Sequence, residues 1–322
     1  MTTVPAAAAS SAGAGFGGAV ETVYRPAEAA DVRSTLSVLG RGPHDPTTVW
    51  DAWGVWRTFR TPQGAATVRI LVPAADGAIA AAAWGPGADW VIDAIPGLLG
   101  RGDDWAGLDV RETPLLHESR RRNAGMRLTR TGLILEAIIP AIIEQRVTSL
   151  EAYRSWARLL RWYGEAAPGP APLGMRVVPT VEQWRGIPSW EWHRAGVDPG
   201  RARTVQAVLA VASSLERATA RASTLLEAAT ALRTVPGVGQ WTAAETLQRS
   251  HADPDTVSVG DYHLAHYVGE ALIGRRVDDD GMLELLEPWT GHRQRVVRLI
   301  LASGHRFERR GPRITLQEHR WH

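Results

Sequence analysis

The chain contains neither cysteine nor lysine, and each absence excludes a class of chemistry. Without cysteine there are no disulfides, no thiolate nucleophile and no zinc or iron–sulfur centre held by cysteines. All 36 basic residues among the 322 are arginine, so no lysine amine is available to form a Schiff base. A mechanism that proceeds through a lysine imine is therefore excluded.

Long hydrophobic segments are also absent. Apolar runs such as residues 132–143 are too short and too interrupted to span a bilayer. Residues 1–20 are rich in Ala, Ser and Gly but lack the basic start and leucine-rich centre of a signal peptide. We expect a disordered tail there. The sequence thus predicts a cytoplasmic protein that does not bind a membrane.

The positive charge is modest overall but unevenly distributed. A formal net charge of +2 does not by itself indicate a nucleic-acid partner. Residues 120–161, however, hold nine Arg against three Glu. This surplus is consistent with a patch that faces phosphates and equally with a solvated helix face.

The pattern of apolar residues predicts two regions of different fold. Apolar residues make up 44% of the chain and charged residues 22%, as is usual for a globular protein. Residues 21–114 predict a small α+β domain, with strand-like runs at 21–25, 53–60, 66–72 and 79–84. The turns between the last three runs predict an antiparallel meander. Residues 115–304 predict a helical domain, and residues 305–322 a basic C-terminal tail.

The run from Val235 to Gln240 predicts a tight hairpin between two helices. Pro236-Gly-Val-Gly239 follows one helical pattern and precedes another. The two glycines permit positive φ and leave backbone N–H groups uncovered beside a helix N-terminus, where they bind phosphate without reading sequence. A plain loop between packed helices is the other interpretation.

Asp261 lies 22 residues beyond Gly239, directly before a helical segment. Aspartate is among the best N-cap residues, so capping alone explains its position. A catalytic role is the alternative, and the separation of Asp261 from the hairpin favours that role.

These residues resemble a known family. Val235-Pro-Gly-Val-Gly-Gln-Trp-Thr-Ala243, followed at that spacing by Gly260-Asp261-Tyr262, is similar to the helix-hairpin-helix and catalytic aspartate of base-excision DNA glycosylases. The nearest likeness is to the 3-methyladenine DNA glycosylase II family. Residues 142–148 resemble the helix end that carries that family's DNA-intercalating residue, and residues 173–176 and 196–203 its connector. The resemblance spans roughly residues 22–303.

The resemblance implies a fold and a site. The expected fold is mainly α, with helix-hairpin-helix glycosylase domains preceded by a small α+β domain like the TATA-binding protein. Asp261 is implied as the catalytic residue. Implied DNA-binding residues are Gly237, Gly239, Thr242, Gln145 and Arg146, with Arg146 standing at the wedge position that an apolar residue usually fills.

The implied base pocket has two aromatic walls and one unusual residue. Trp241 and Trp289 match the family's pocket tryptophans, although with 14 Trp in the chain ordinary core packing is the alternative. Glu245 stands where close family members have a tyrosine. Three roles stay open for it: sensing a cationic base, donating a proton if its pKa is raised, or facing solvent.

The resemblance also bears on cofactors and on strand cleavage. Family members often seat a monovalent cation on hairpin carbonyls, here those of Val235 and Val238; no other cofactor is expected. Where lyase-competent relatives carry a lysine, this chain has Gln240. The enzyme is thus expected to leave the abasic site uncut.

The predicted function is therefore a monofunctional DNA glycosylase of base excision repair, which acts as a monomer on double-stranded DNA. Alkylated purines are the expected substrates. Excision of 8-oxoguanine with strand cleavage is disfavoured because lysine is missing, whereas excision of mismatched adenine or of uracil stays open. The alternative from another class is a non-catalytic DNA-binding or damage-sensing protein that keeps the hairpin.

Overall fold

The computed structural model describes residues 18–305. Nearly all of the predicted tails, 1–20 and 305–322, lie outside the described residues. Within the described range no helix is both long enough and apolar enough to cross a membrane.

An antiparallel sheet of five strands forms the N-terminal part of the fold, in the order β1-β5-β4-β3-β2. Its strands are β1 (Val20–Tyr24), β2 (Thr48–Asp51), β3 (Gly54–Thr61), β4 (Gly64–Leu71) and β5 (Ile79–Trp84). The meander predicted from the turns after β3 and β4 is confirmed. The short strand β2 lies outside the predicted strands, and β1 joins the sheet at β5.

Alternating side chains of the sheet bury one face against two helices. These helices are α1 (Val32–Leu36) and α2 (Ala88–Leu98). From β4, Ala66, Val68 and Ile70 point into the same core as Val91 and Ile95 of α2. Thr67 and Arg69, which lie between these residues and point the other way, are buried as well, so β4 is covered on both faces.

Helices make up the rest of the fold, apart from a two-stranded ribbon of β6 (Glu165–Ala166) and β7 (Arg176–Val177). In chain order they are α3 (Pro114–Arg122), α4 (Ile134–Ile143), α5 (Ser149–Tyr163), α6 (Val181–Arg185), α7 (Ser189–Ala195), α8 (Pro199–Ala210), α9 (Ala212–Arg221), α10 (Leu225–Arg233), α11 (Gln240–Ser250), α12 (Leu264–Ile273), α13 (Asp279–Leu286) and α14 (Arg293–Ala302). A mainly α fold with a small α+β part at the N-terminus is therefore confirmed.

Three hydrophobic clusters hold these elements together. One lies between the sheet and α2, and a second is centred on α4 and includes side chains of α5, α8 and α11. The third joins Trp105, Val110 and Leu116 to residues of α12, α13 and α14. Residues on both sides of the predicted boundary at 114/115 thus share a cluster, and that boundary stays a prediction.

Helix α4 connects the sheet to the helical part through a buried carboxylate. Glu136, in its first turn, accepts a hydrogen bond from the backbone N–H of Arg60 on β3. The Arg57 guanidinium lies 4.0 Å from the carboxylate, and both side chains are 8% exposed. Burial raises the pKa of Glu136 to about 7, although the charge of Arg57 opposes the shift.

This pKa predicts a pH-dependent stability. A carboxyl group whose pKa is raised in the folded state stabilises the fold fully when the pH is below its unfolded pKa of about 4.3. This contribution to the free energy of unfolding is lost as the pH rises through the folded pKa of about 7. We therefore expect the wild-type free energy of unfolding to fall between pH 5 and 8 by on the order of 2 kcal/mol more than that of Glu136→Gln. Urea unfolding across this range measures it, with the exposed Glu284→Gln as control. Equal slopes in all three proteins would contradict the assignment.

Candidate active site

The hairpin at residues 234–239 is anchored by two valines and presents its other residues outward. Val235 and Val238 are buried in the cluster centred on α4. The Val238 N–H donates to the Val235 carbonyl at 3.0 Å and closes the turn. Pro236, Gly237 and Gly239 are exposed. This alternation fixes the hairpin to the core while its backbone faces solvent at the start of α11.

The two glycines of the hairpin differ in what they require. Gly237 has φ of 88°, and a Cβ there would lie 2.2 Å from Oγ1 of Thr204 on α8. Gly239 has φ of −93°, and a Cβ there would meet no atom of residues 18–305 within 4 Å. Glycine is therefore needed at 237 for backbone conformation and packing. At 239 it leaves the approach to the N-terminus of α11 open.

The turn after α4 contacts the hairpin through one side chain. The side-chain amide of Gln145 donates to the Gly237 carbonyl at 3.0 Å and to Thr242 Oγ1 at 2.8 Å. The structure thus brings together three of the predicted DNA-binding residues. Thr242 itself is buried, so its hydroxyl supports Gln145 instead of facing solvent.

Arg146, the predicted wedge residue, sits in a strained conformation at the tip of this turn. Its φ is 56° and its side chain is exposed. A left-handed backbone at a non-glycine residue costs of order 1 kcal/mol and persists only where neighbouring structure enforces it. Directly after it, the capping box of Thr148 and Glu151 starts α5. The turn is therefore fixed at both ends and projects Arg146 outward.

Asp261 is held from two sides and remains half-buried. Its Oδ1 accepts the N–H groups of His263 at 2.9 Å and Leu264 at 3.0 Å, although the N-cap of α12 is His263 and not Asp261. Its Oδ2 accepts the indole N–H of Trp241 at 3.2 Å. The carboxylate is thus fixed against α11, one turn past the hairpin, and Oδ2 keeps acceptor capacity.

Glu245 lies one helical turn beyond Trp241 but is part of a buried ion pair. Its Oε2 is 2.7 Å from the Arg249 guanidinium, and the two side chains are 13% and 12% exposed. Burial opposes ionisation, yet Arg249 and the Ser258 hydroxyl hold the pKa of Glu245 below its ordinary value. A solvent-facing role does not fit this burial, and proton donation does not fit the lowered pKa.

The second predicted pocket tryptophan has other partners. Trp289 packs partly buried against the third cluster, and its indole N–H donates to the Asp109 carbonyl at 2.7 Å. The hydrogen bonds of residues 18–305 therefore connect Trp241 to Asp261, but connect Trp289 to the loop before α3.

The carbonyl oxygens at Val235 and Val238 suit a hard monovalent cation in type. The Val235 carbonyl also accepts the Val238 N–H, and the neighbouring Gly237 carbonyl accepts Gln145. The cation site stays a prediction.

The basic run at 120–161 does not form one continuous surface. Arg127 is buried and pairs with Glu28. On α5, by contrast, Arg154, Arg158 and Arg161 are exposed at helical spacing. The interpretation as a solvated helix face therefore fits α5, whereas Arg127 has a structural role.

Sequence reasoning missed the residues that support the site. Ser258 donates to Glu245, Thr204 contacts the hairpin, and Arg201 on α8 donates to the Ile143 carbonyl at the end of α4. Only Arg201 offered a signal, because its run 196–203 belongs to the connector that resembles the family. Ser258 and Thr204 have no distinguishing sequence context.

Solved structures share this fold across nearly the whole chain. The 3-methyladenine DNA glycosylase of Archaeoglobus fulgidus has a TM-score of 0.67 and 17% identity, covering 88% of this chain and 98% of its own. MBOgg1 in complex with a low-affinity DNA ligand has a TM-score of 0.68 and 14% identity, and the match covers 88% of this chain and 95% of MBOgg1. The Clostridium acetobutylicum 8-oxoguanine glycosylase/lyase, in complex with double-stranded DNA, has a TM-score of 0.65 and 12% identity. The match covers 89% of this chain and 97% of that enzyme.

No protein-family model matches the chain, and no curated protein matches its sequence. The likeness is therefore one of structure. The fold is that of the helix-hairpin-helix DNA glycosylases, as the resemblance of the hairpin and Asp261 implied.

The contrast between the two hairpin glycines predicts different stabilities. Gly237→Ala should lower the free energy of unfolding by about 2 kcal/mol or more, because the methyl group meets Thr204 and the backbone has positive φ. Gly239→Ala should change it by less than about 1 kcal/mol. Urea unfolding of both variants measures the difference, and equal losses would contradict the geometry of the hairpin.

Proposed function

We propose that this protein is a monofunctional DNA glycosylase that hydrolyses the N-glycosidic bond of alkylated purines in double-stranded DNA. The observation that carries the proposal is the fixed position of the Asp261 carboxylate against α11, hydrogen-bonded to Trp241, directly beyond a helix-hairpin-helix. The shared fold with solved DNA glycosylases supports it. The methylated bases 3-methyladenine and 7-methylguanine are the substrates we expect.

DNA binding is assigned to the hairpin and the wedge turn. The exposed backbone at Gly237 and Gly239 would hold a phosphate at the N-terminus of α11. Arg146 would fill the gap that the flipped nucleotide leaves in the duplex. Gln145 keeps these two features in register, because its side chain contacts the Gly237 carbonyl. Two of the structural neighbours were solved with DNA bound.

In the proposed reaction Asp261 acts on the sugar. As the bond from C1′ to the base nitrogen breaks, its electron pair leaves with the base and C1′ becomes cationic. The Asp261 carboxylate stabilises this charge. Water then adds to C1′ and gives its proton to the carboxylate or to solvent. An alkylated, cationic base becomes neutral when it accepts the electron pair, so its departure needs no proton donor.

The pocket residues are consistent with a cationic base. Trp241, and Trp289 if DNA binding brings it to the flipped nucleotide, would stack on an electron-poor ring. Because the pKa of Glu245 is lowered, Glu245 is ionised at neutral pH and does not protonate the leaving base. A substrate whose base must be protonated on departure is therefore less suited to this site.

A bound monovalent cation at the Val235 and Val238 carbonyls would add positive charge beside the phosphate. It would strengthen DNA binding by the hairpin, and no step of hydrolysis depends on it.

Replacement of the catalytic carboxylate tests the proposal directly. Asp261→Asn should lower the single-turnover rate of base release at least about 100-fold, because the developing charge loses its counter-charge. Its affinity for DNA that contains an abasic-site analogue should change less than about threefold. The exposed Asp280→Asn serves as the matched control and should keep the wild-type rate. Unchanged release by Asp261→Asn would remove Asp261 from the mechanism.

The absence of lysine predicts the fate of the product strand. Since no lysine imine can form, the DNA should stay intact after base release and break at the abasic site only on heating in alkali. Denaturing electrophoresis with and without alkali measures this. Nicks that appear in step with base release, before alkali, would contradict monofunctional hydrolysis.

A further inference from the structure

The segment that leads to Asp261 is fastened along α11 by side chains of that helix. Gln248 donates to the Thr256 carbonyl at 2.9 Å and to Ser258 Oγ at 3.1 Å. The Ser258 carbonyl in turn accepts the N–H of Asp261 at 3.2 Å. The backbone position of Asp261 therefore depends on where Ser258 is held.

Ser258 is held by Glu245. The Ser258 hydroxyl donates to Glu245 Oε1 at 2.5 Å, and Ser258 itself is 3% exposed. The other oxygen of Glu245 accepts from Arg249 at 2.7 Å. A charge-assisted hydrogen bond between a buried carboxylate and a buried hydroxyl is short and strong, so it restricts both groups.

Arg249 fixes the carboxylate in place. Its guanidinium reaches the Glu245 carboxylate and the Glu245 carbonyl, and its Nε donates to the Val38 carbonyl at 3.2 Å, in the α+β part of the chain. Both oxygens of Glu245 are thus engaged by protein groups. The Glu245 side chain is also only 13% exposed, so little of its carboxylate is open to a flipped base.

We propose that Glu245 is a positioning residue, which sets the place of the Asp261 carboxylate through Ser258. The inference rests on the proposed function, since it concerns the geometry of that same site. Three side chains of α11 then hold Asp261: the Trp241 indole holds Oδ2, while Glu245 and Gln248 hold Ser258 and, through it, the backbone. The lowered pKa of Glu245 agrees with an ionised acceptor in this bond.

Positioning and base contact predict different kinetics. A displacement of about 1 Å at a reacting group costs on the order of 100-fold in rate, and it does so for every substrate. A lost contact with the base would instead change the rate for one lesion more than for another. Neither role affects the binding of DNA that lacks the base. Single-turnover rates on two lesions therefore distinguish a positioning role from a contact with the base.

The experiment compares Glu245→Gln, Ser258→Ala and the double variant on duplexes that carry 3-methyladenine or 7-methylguanine. Each single variant should slow base release about 10- to 100-fold, by the same factor for both lesions. The double variant should be no slower than the slower single variant, because both changes act on the Glu245–Ser258 hydrogen bond, although Ser258→Ala also removes the acceptor of Gln248. Affinity for an abasic-site analogue should change less than about threefold. Glu136→Gln, which alters a buried carboxylate next to β3, is the control and should keep the wild-type rate.

A second measurement does not depend on activity. Hydrogen–deuterium exchange of residues 256–264 should be at least about 10-fold faster in Glu245→Gln and Ser258→Ala than in wild type, with exchange in α4 unchanged. If exchange is faster in the variants but the wild-type protein releases no base from any lesion, the proposed function is contradicted and the positioning role is not. Unchanged exchange, additive losses in the double variant, or losses confined to one lesion would overturn the positioning role.

Discussion

Helix α11 is the element on which the candidate site depends, because it is fixed at both ends and holds residues 256–261 between them. At its start, the hairpin is anchored by Val235 and Val238 in the largest apolar cluster. At its end, Arg249 reaches the α+β part of the chain. The indole of Trp241 and the carboxylate of Glu245 project from the helix between these anchors and hold residues 256–261. The hairpin backbone and the Asp261 carboxylate, the two parts of the proposed site, are thus attached to the same helix.

The fold could be predicted from the sequence, whereas the roles of the site residues stay predictions. The period-two strands at residues 53–84 and the turns between them predict the antiparallel meander, since turn chemistry there is explicit. Pro236 and Gly237 were recognisable because a tight hairpin needs particular residue types, and Asp261 was recognisable by its spacing from the hairpin and the family resemblance. The division between α8 and α9 at Val211 could not be predicted, because neither glycine nor proline marks an end there.

Partner relationships across long separations were not predictable from one sequence. The lowered pKa of Glu245 depends on Arg249 and on Ser258, which lies 13 residues away along the chain. The buried state of Glu136 depends on β3, 76 residues upstream. Helical periodicity places such residues on a face but does not show what packs against that face. Arg146 similarly gives no sequence sign of its positive φ, which the ends of α4 and α5 impose.

The measurement that tests the central claim most directly is base release from duplex DNA treated with a methylating agent, with the freed bases identified by mass. We expect free 3-methyladenine, with or without 7-methylguanine, at a rate that depends on enzyme concentration. Tight binding to the same DNA without release of any base would contradict it, and would favour a protein that recognises damage without excising it.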